Sequence, residues 1–156
     1  MPKVSTETPV FELTLRKYEK PENLSGRELV KKICLSIGLL QPGDSRDVIV
    51  DILFVLLKQK PKGLTSLELE KQVIKSREEY KMPMLGIASS NIRRQLRRLR
   101  ALFLIEKNKK KYRITEGGAM QEIFAEKIKA FLLSSTINRI EEYMHACDLE
   151  FQKALK

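Results

Sequence analysis

The sequence predicts a mainly α-helical fold carrying a small β-hairpin, with extra helices at both ends. Three observations lead there. Apolar residues recur at steps of three and four through most of the chain. Two short runs on either side of a lysine-rich tip read as strands. Breakers such as Lys60-Pro61-Lys62-Gly63 cut the periodic stretches into helix-sized pieces.

With 156 residues, 42% hydrophobic and 32% charged, the chain is expected to form one globular domain with extensions, not a disordered tract. It contains no run of about 18 apolar residues, so no membrane-spanning helix is expected. The start, Met1-Pro2-Lys3-Val4-Ser5-Thr6-Glu7, lacks the apolar centre of a signal peptide. A cytoplasmic location is the expectation. Cys34 and Cys147 lie far apart, both on apolar faces of predicted helices, which points to buried free thiols and not to a disulfide.

Residues 1–23 form a polar arm with Pro2, Pro9 and Pro21. Within it Phe11, Leu13 and Leu15 alternate with Glu12, Thr14 and Arg16, a strand period suited to adding a strand or clamping a neighbouring subunit. Residues 24–43 hold an accessory helix. Ser25 and Glu28 have capping-box spacing ahead of an apolar face of Leu29, Val30, Ile33, Cys34 and Ile37, and Gly38 or Pro42-Gly43 ends it.

A central unit spans 44–118. Asp44 or Ser45 is expected to cap its first helix, whose broad apolar face of Val48, Ile49, Ile52, Leu53, Leu56 and Leu57 marks the most buried helix. Thr65 and Glu68 repeat the capping-box spacing and open a helix to about Tyr80, with Leu69 and Val73 inward. After the connection Lys81–Gly86, Ser89 or Ser90 caps a further helix. At about 100° per residue, Ile92, Leu96, Leu99 and Phe103 share its core side, while Ser90, Asn91, Arg94, Arg97, Arg98 and Ala101 fall opposite and Arg93 and Arg100 on a flank. Leu102–Glu106 and Lys111–Thr115 are the two predicted strands, around a five-residue lysine-rich tip.

Residues 119–156 are a helical region, with Thr115 as its expected cap. Ile123, Phe124, Lys127/Ile128 and Phe131 form one stripe; Ile137, Ile140, Met144, Cys147 and Phe151 form a second at steps of 3, 4, 3 and 4, close to a heptad seam. Ser134-Ser135-Thr136 interrupts the phase, predicting a kink or two helices. The second stripe is expected to dimerise the protein, the other reading being that it folds back on the 29–37 helix.

Charge is concentrated in one place. The twenty-one residues Arg93–Arg113 hold ten Lys/Arg against one acid, Glu106, and so account for +9 of the total +10. The remaining twenty Lys/Arg meet nineteen Asp/Glu. So localised a charge marks a polyanion partner. A solvated outer helix face is the plain alternative, but no acid alternates with these arginines, and like charges four apart on a helix repel.

The order helix, Gly-Leu-Thr turn, helix, basic helix, basic hairpin resembles a winged helix-turn-helix domain. Ser89-Ser90-Asn91-Ile92-Arg93-Arg94-Gln95-Leu96-Arg97-Arg98-Leu99, followed by Leu104-Ile105-Glu106, is similar to the recognition helix and first wing strand of MarR- and PadR-type regulators. Tyr112-Arg113-Ile114-Thr115-Glu116-Gly117-Gly118 is similar to the second wing strand and the Thr-capped start of the next helix. The resemblance covers about residues 45–125. It implies double-stranded DNA as partner and a homodimeric prokaryotic transcriptional regulator. It places DNA contacts at Ser89, Ser90, Asn91, Arg93, Arg94, Arg97, Arg98, Arg100, Lys107, Lys109, Lys110, Lys111 and Arg113. Arginine forks suit guanine edges and phosphates, Asn91 is a candidate adenine reader, and lysines act as point charges. The chain departs from the pattern in two places. Phe103 stands where the family usually has the glycine that turns helix into strand, and the 81–88 connection is long.

No GxxxxGK[ST], GxGxxG, CxxC or HExxH occurs, so no cofactor and no enzyme activity is expected. Glu141 and His145, four apart, are read as an ordinary helix-surface pair and not as metal ligands. Met82, Met84 and Leu85 are read as loop residues packing on the core. A second function class stays open: a winged-helix nucleic-acid-binding or protein-interaction module of a replication, recombination or RNA-processing assembly.

Overall fold

The computed structural model describes residues 6–154, so the first five residues of the arm and the last two of the C-terminal region lie outside it. Helices α1 (Gly26–Ser36), α2 (Val48–Gln59), α3 (Ser66–Glu79) and α4 (Ser89–Ala101) surround a core centred on α2. Val48, Ile49, Val50, Ile52, Leu53, Val55 and Leu56 are all buried, so α2 is enclosed on every side. That is why its sequence is nearly continuous in apolar residues. Around it pack Val30 and Cys34 of α1, Leu69 and Val73 of α3, and Ile92, Leu96 and Leu99 of α4. Burial pushes the Cys34 thiol up to about 12, so it is an inert core group. Cys147, expected to be buried as well, is exposed.

The sheet is three-stranded and antiparallel, in the order β1-β3-β2: β1 (Leu64–Thr65), β2 (Ile105–Asn108) and β3 (Lys111–Ile114). The hairpin is tighter than the sequence predicts. Asn108 pairs with Lys111, leaving only Lys109 and Lys110 in the turn, with φ of 50° and 69°. Two consecutive left-handed residues make a type I′ turn, whose twist matches the strands. β1 is absent from the sequence-based reading, because two residues are too few to show a period. Leu64 pairs with Tyr112 and Thr65 with Lys111, which ties the start of α3 to the hairpin.

Of the expected caps, the Thr65–Glu68 box forms as read, with Glu68 N–H donating to Thr65 Oγ1 at 3.2 Å. The others do not. Ser25 makes no side-chain cap. Asp44 and Ser45 lie ahead of α2, whose preceding residue is Asp47. Ala88, not a serine, precedes α4. Thr115 sits in a short 3-10 turn and donates its hydroxyl to Phe103 O at 2.6 Å.

Asp47 is used differently because it belongs to a buried ion cluster. Arg27, Asp47, Asp51 and Arg77 are each at most 1% exposed. Arg27 bridges Asp51 (2.9 Å) and Asp47 (3.0 Å), and Arg77 bridges Asp47 (2.9 Å) and Asp51 (2.7 Å). Ser76 Oγ donates to Asp51 Oδ1 at 3.0 Å. Two guanidinium groups facing two carboxylates cancel in charge, and no buried side-chain polar atom is left without a partner among the described residues. The cluster joins α1, the first turn of α2 and the end of α3. Arg77 also donates to Pro83 O at 2.8 Å, and so holds the connection that leads into α4.

Residues 6–23 of the arm form no strand. The arm clamps its own chain: Arg16 N–H donates to Ser36 O (2.8 Å), and its guanidinium to Leu35 O (2.8 Å), Leu40 O (3.1 Å) and Gln41 Oε1 (2.8 Å). Phe11 and Leu13 pack partly on the core while Leu15 is exposed. Gly38, at φ 76°, makes this approach possible, since a Cβ there would stand 2.7 Å from Thr14 Cβ.

The C-terminal helix is continuous, without the expected kink at Ser134. It runs through α5 (Met120–Ile123), a wider π-helical segment (Phe124–Leu133) and α6 (Ser134–Ala154). The wider turns absorb the break in phase between the two apolar stripes. Ile123 and Ile128 of the first stripe are buried, and Phe131 is exposed. No helix among the described residues is long and apolar enough to cross a membrane.

Removing one member of the ion cluster strands the others. Arg77→Ala is expected to cost about 3–5 kcal/mol of stability, read by denaturant unfolding. Burial alone would raise the Asp47 carboxyl, but hydrogen bonds from Arg77 and Arg27 outweigh it and hold it below the ordinary aspartate range. A depressed carboxylate stabilises the fold in full above its unfolded value, about 3.9, and that contribution is lost as pH falls below it. Thermal unfolding across acidic pH should show this loss, and Asp47→Asn should remove that part of the pH dependence.

Candidate nucleic-acid interface

α4 is positioned by Ile92, Leu96 and Leu99, each at most 1% exposed, against α2. With this side fixed inward, Ser90, Arg93, Arg94, Arg97 and Ala101 must point out, and all five are exposed, as are Ser89 and Arg100. Phe103 is not on the core side. The helix stops at Ala101, and Phe103 adopts φ 61°, the left-handed position that glycine usually takes. Phe103 N–H donates to Arg100 O (2.9 Å) and Leu104 N–H to Leu99 O (3.2 Å), the two bonds of a Schellman cap. The tight turn into β2 therefore forms without glycine. The ring is 38% exposed and meets Phe131 edge-on, with centroids 6.1 Å apart.

The structure divides the cations of 93–113 into two groups. Arg93, Arg94, Arg97, Arg100, Lys109, Lys110 and Lys111 are exposed and make no ion pair within the described residues. Lys107 is exposed too, with its ammonium 5.4 Å from the centroid of the Tyr112 ring. The other two are engaged. Arg113 pairs across the hairpin with Glu106 at 2.6 Å. Arg98 is half-buried and donates to Gln95 Oε1 (2.7 Å) and Gly38 O (3.3 Å).

Arg98 ends a ladder that sequence reasoning missed. Asn91 Nδ2 donates to Gly86 O (2.7 Å), and Gln95 Nε2 donates to Asn91 Oδ1 (3.1 Å). Gln95 then accepts from Arg98. Positions 91, 95 and 98 are spaced as helix-surface neighbours, and that spacing was the available signal. Each end of the Asn91 amide makes one of these bonds, which fixes Gly86 against α4 and leaves the candidate adenine reader a second N–H and a second oxygen lone pair.

Beside this ladder lies an open cavity of about 840 Å³ between the 84–88 connection, the 39–46 connection and α4. Arg46, Arg94 and Arg98 line it with a single acid, Asp44. Met84 and Leu85 also line it, and both are largely exposed instead of packing inward. Burial first, and then repulsion from Arg94, lower the pKa of Arg98. An anion in this bay would relieve both.

Glu141 and His145 are exposed on α6, and no group of three or more His, Cys, Asp or Glu among the described residues is arranged to hold a metal ion. The stripe Ile137, Ile140, Met144, Cys147 and Phe151 is exposed throughout, so α6 does not fold back on α1. No family model, no curated protein and no solved structure matches this chain.

The Schellman turn sets a balance at Phe103. A left-handed phenylalanine costs roughly 1–2 kcal/mol, and its aromatic contact returns about 0.5–1.5 kcal/mol. Phe103→Gly is therefore expected to leave denaturant stability within about 1 kcal/mol of wild type. A loss several times larger would mean that the ring carries packing beyond Phe131.

Proposed function

We propose that the protein is a double-stranded-DNA-binding protein of the winged helix-turn-helix type, acting as a homodimeric transcriptional regulator. In this reading α3 and α4 are the helix-turn-helix pair, α4 enters the major groove, and the β2–β3 hairpin is the wing. The observation that carries it is the set of unpaired cations. Arg93, Arg94, Arg97 and Arg100 on α4 and Lys109, Lys110 and Lys111 at the wing stand exposed with no carboxylate partner among the described residues. Elsewhere in the sequence twenty Lys/Arg are matched by nineteen Asp/Glu. A surface that leaves this many like charges uncompensated is matched by a phosphate backbone.

Within the site, base reading falls to Ser89, Ser90, Asn91, Arg93, Arg94 and Arg97. Arg98 and Arg46 flank the bay into which a phosphate oxygen fits beside Arg94. The wing lysines supply affinity without sequence choice. The exposed α6 stripe is the surface for a second copy, which would present two α4 faces to one duplex.

Replacing Arg94 and Arg97 by alanine spares the core and the ladder, so the fold should survive. Duplex affinity is expected to fall by at least about tenfold, and the log–log salt slope by about 1 for each phosphate no longer neutralised. Unchanged affinity and slope in the double variant would remove α4 from the interface. Neutralising Lys109 and Lys110 should weaken all sequences alike. A changed sequence preference without that general loss would assign base reading to the wing.

A further inference from the structure

We infer that two copies of the chain pair through α6 as a parallel, in-register two-stranded coil. The inference rests on the homodimeric reading above and specifies its geometry. The stripe of α6 follows a heptad, with Ile137, Met144 and Phe151 at one core position and Ile140 and Cys147 at the other. On the single chain all five are exposed, Ile137 by 45%, Ile140 by 50%, Met144 by 64% and Phe151 by 65%. A continuous helix of 21 residues carries them, and every residue from 137 to 152 is exposed, so no described part of the same chain covers the seam.

The flanking residues decide the direction. Glu141 and Asp148 occupy one flank of the seam, Thr136, Tyr143 and Glu150 the other. In a parallel pair each flank faces the opposite flank of the second copy, five residues on. Thr136 then lies by Glu141 of the second copy, and Tyr143 by Asp148. No like charges meet, and the Tyr143 hydroxyl, on a residue 73% exposed in the single chain, can donate to a carboxylate. In an antiparallel pair the two core positions pack against each other, so Ile137 lies by Cys147 of the second copy and Ile140 by Met144, and equivalent flanks meet. Glu141 then lies against Glu141 of the second copy, and carboxylate faces carboxylate at the centre of the seam. Parallel pairing also puts both globular bodies at the same end of the coil, where two α4 faces reach one duplex.

Cys147 reports the register directly. In the parallel pair it faces its own copy across the seam; in the antiparallel pair it faces Ile137 and the two thiols are offset by about 15 Å along the axis. Cys34 is fully buried and contributes no competing thiol. The experiment is sedimentation of the full-length protein across a dilution series, followed by mild oxidation with diamide and non-reducing electrophoresis. The expected result is a dimer that converts to a covalent dimer on oxidation, and that Cys147→Ser fails to convert while still sedimenting as a dimer. One further variant, Ile137→Cys combined with Cys147→Ser, probes the opposite direction in mixture with the unmodified chain. That mixture should not form the mixed cross-link, because positions 137 and 147 stand about 15 Å apart along a parallel coil.

A dimer in which the mixed pair cross-links and Cys147 does not would overturn the parallel sense. A monomer at all concentrations would overturn the pairing itself. Duplex binding measured on the same preparations separates the two readings. A monomer that binds DNA leaves the interface on α4 standing, and a cross-linked dimer that does not bind DNA leaves the coil standing.

Discussion

The buried cluster of Arg27, Asp47, Asp51 and Arg77 fixes the helices against which the basic surface is built. Taking four charges out of water is costly, and the cost is offset only where each charge meets opposite charge and good hydrogen bonds. Here each arginine touches both aspartates, and Ser76 takes a further lone pair. The geometry is satisfied by one arrangement of α1, α2 and α3. Arg77 then extends the constraint outward through Pro83 to the connection before α4. A sliding hydrophobic interface would tolerate several positions of α4; a fourfold ion cluster tolerates few.

From that anchor the structure reaches the surface by a series of left-handed turns. Gly38 ends α1 under the pressure of Thr14, Lys81 ends α3, and Phe103 ends α4. In each case the backbone reverses within two residues of a helix end, and the next stretch of chain is tied back to the last helical turn. The Gly86–Asn91–Gln95–Arg98 ladder joins two of these regions, because Arg98 donates to the carbonyl of Gly38. The inner edge of α4 is thus bound at both ends. Its outer edge carries arginines with no ion-pair partner among the described residues, an arrangement that keeps them available to an external anion.

The parts of this architecture that rest on long apolar periods were legible in the sequence. The dominance of α2, the inward faces of α3 and α4, the hairpin and the exposed arginines of α4 all follow from spacing alone. The ion cluster was not, because its arginines stand 20 to 30 residues from their aspartates and no local pattern connects them. Capping was legible at Thr65 and Glu68; the other candidates make no cap, and Thr115 donates its hydroxyl instead to the Phe103 carbonyl. Phe103 shows the same limit. Its helical phase places it on the core face, but the Schellman bonds stop the helix first. In the charged segment, composition located the excess charge and could not show that Arg98 turns partly inward to Gln95 and Gly38 or that Arg113 pairs with Glu106.

The central claim is that the uncompensated charge of α4 and the wing binds duplex DNA, and a salt titration of the unmodified protein tests it most directly. Fluorescence anisotropy of a labelled random-sequence duplex would be followed over rising salt. Log affinity is expected to fall linearly with log salt, with a slope of magnitude about 4 or more, corresponding to several neutralised phosphates. Absence of binding at low salt, or an affinity that salt does not change, would contradict it.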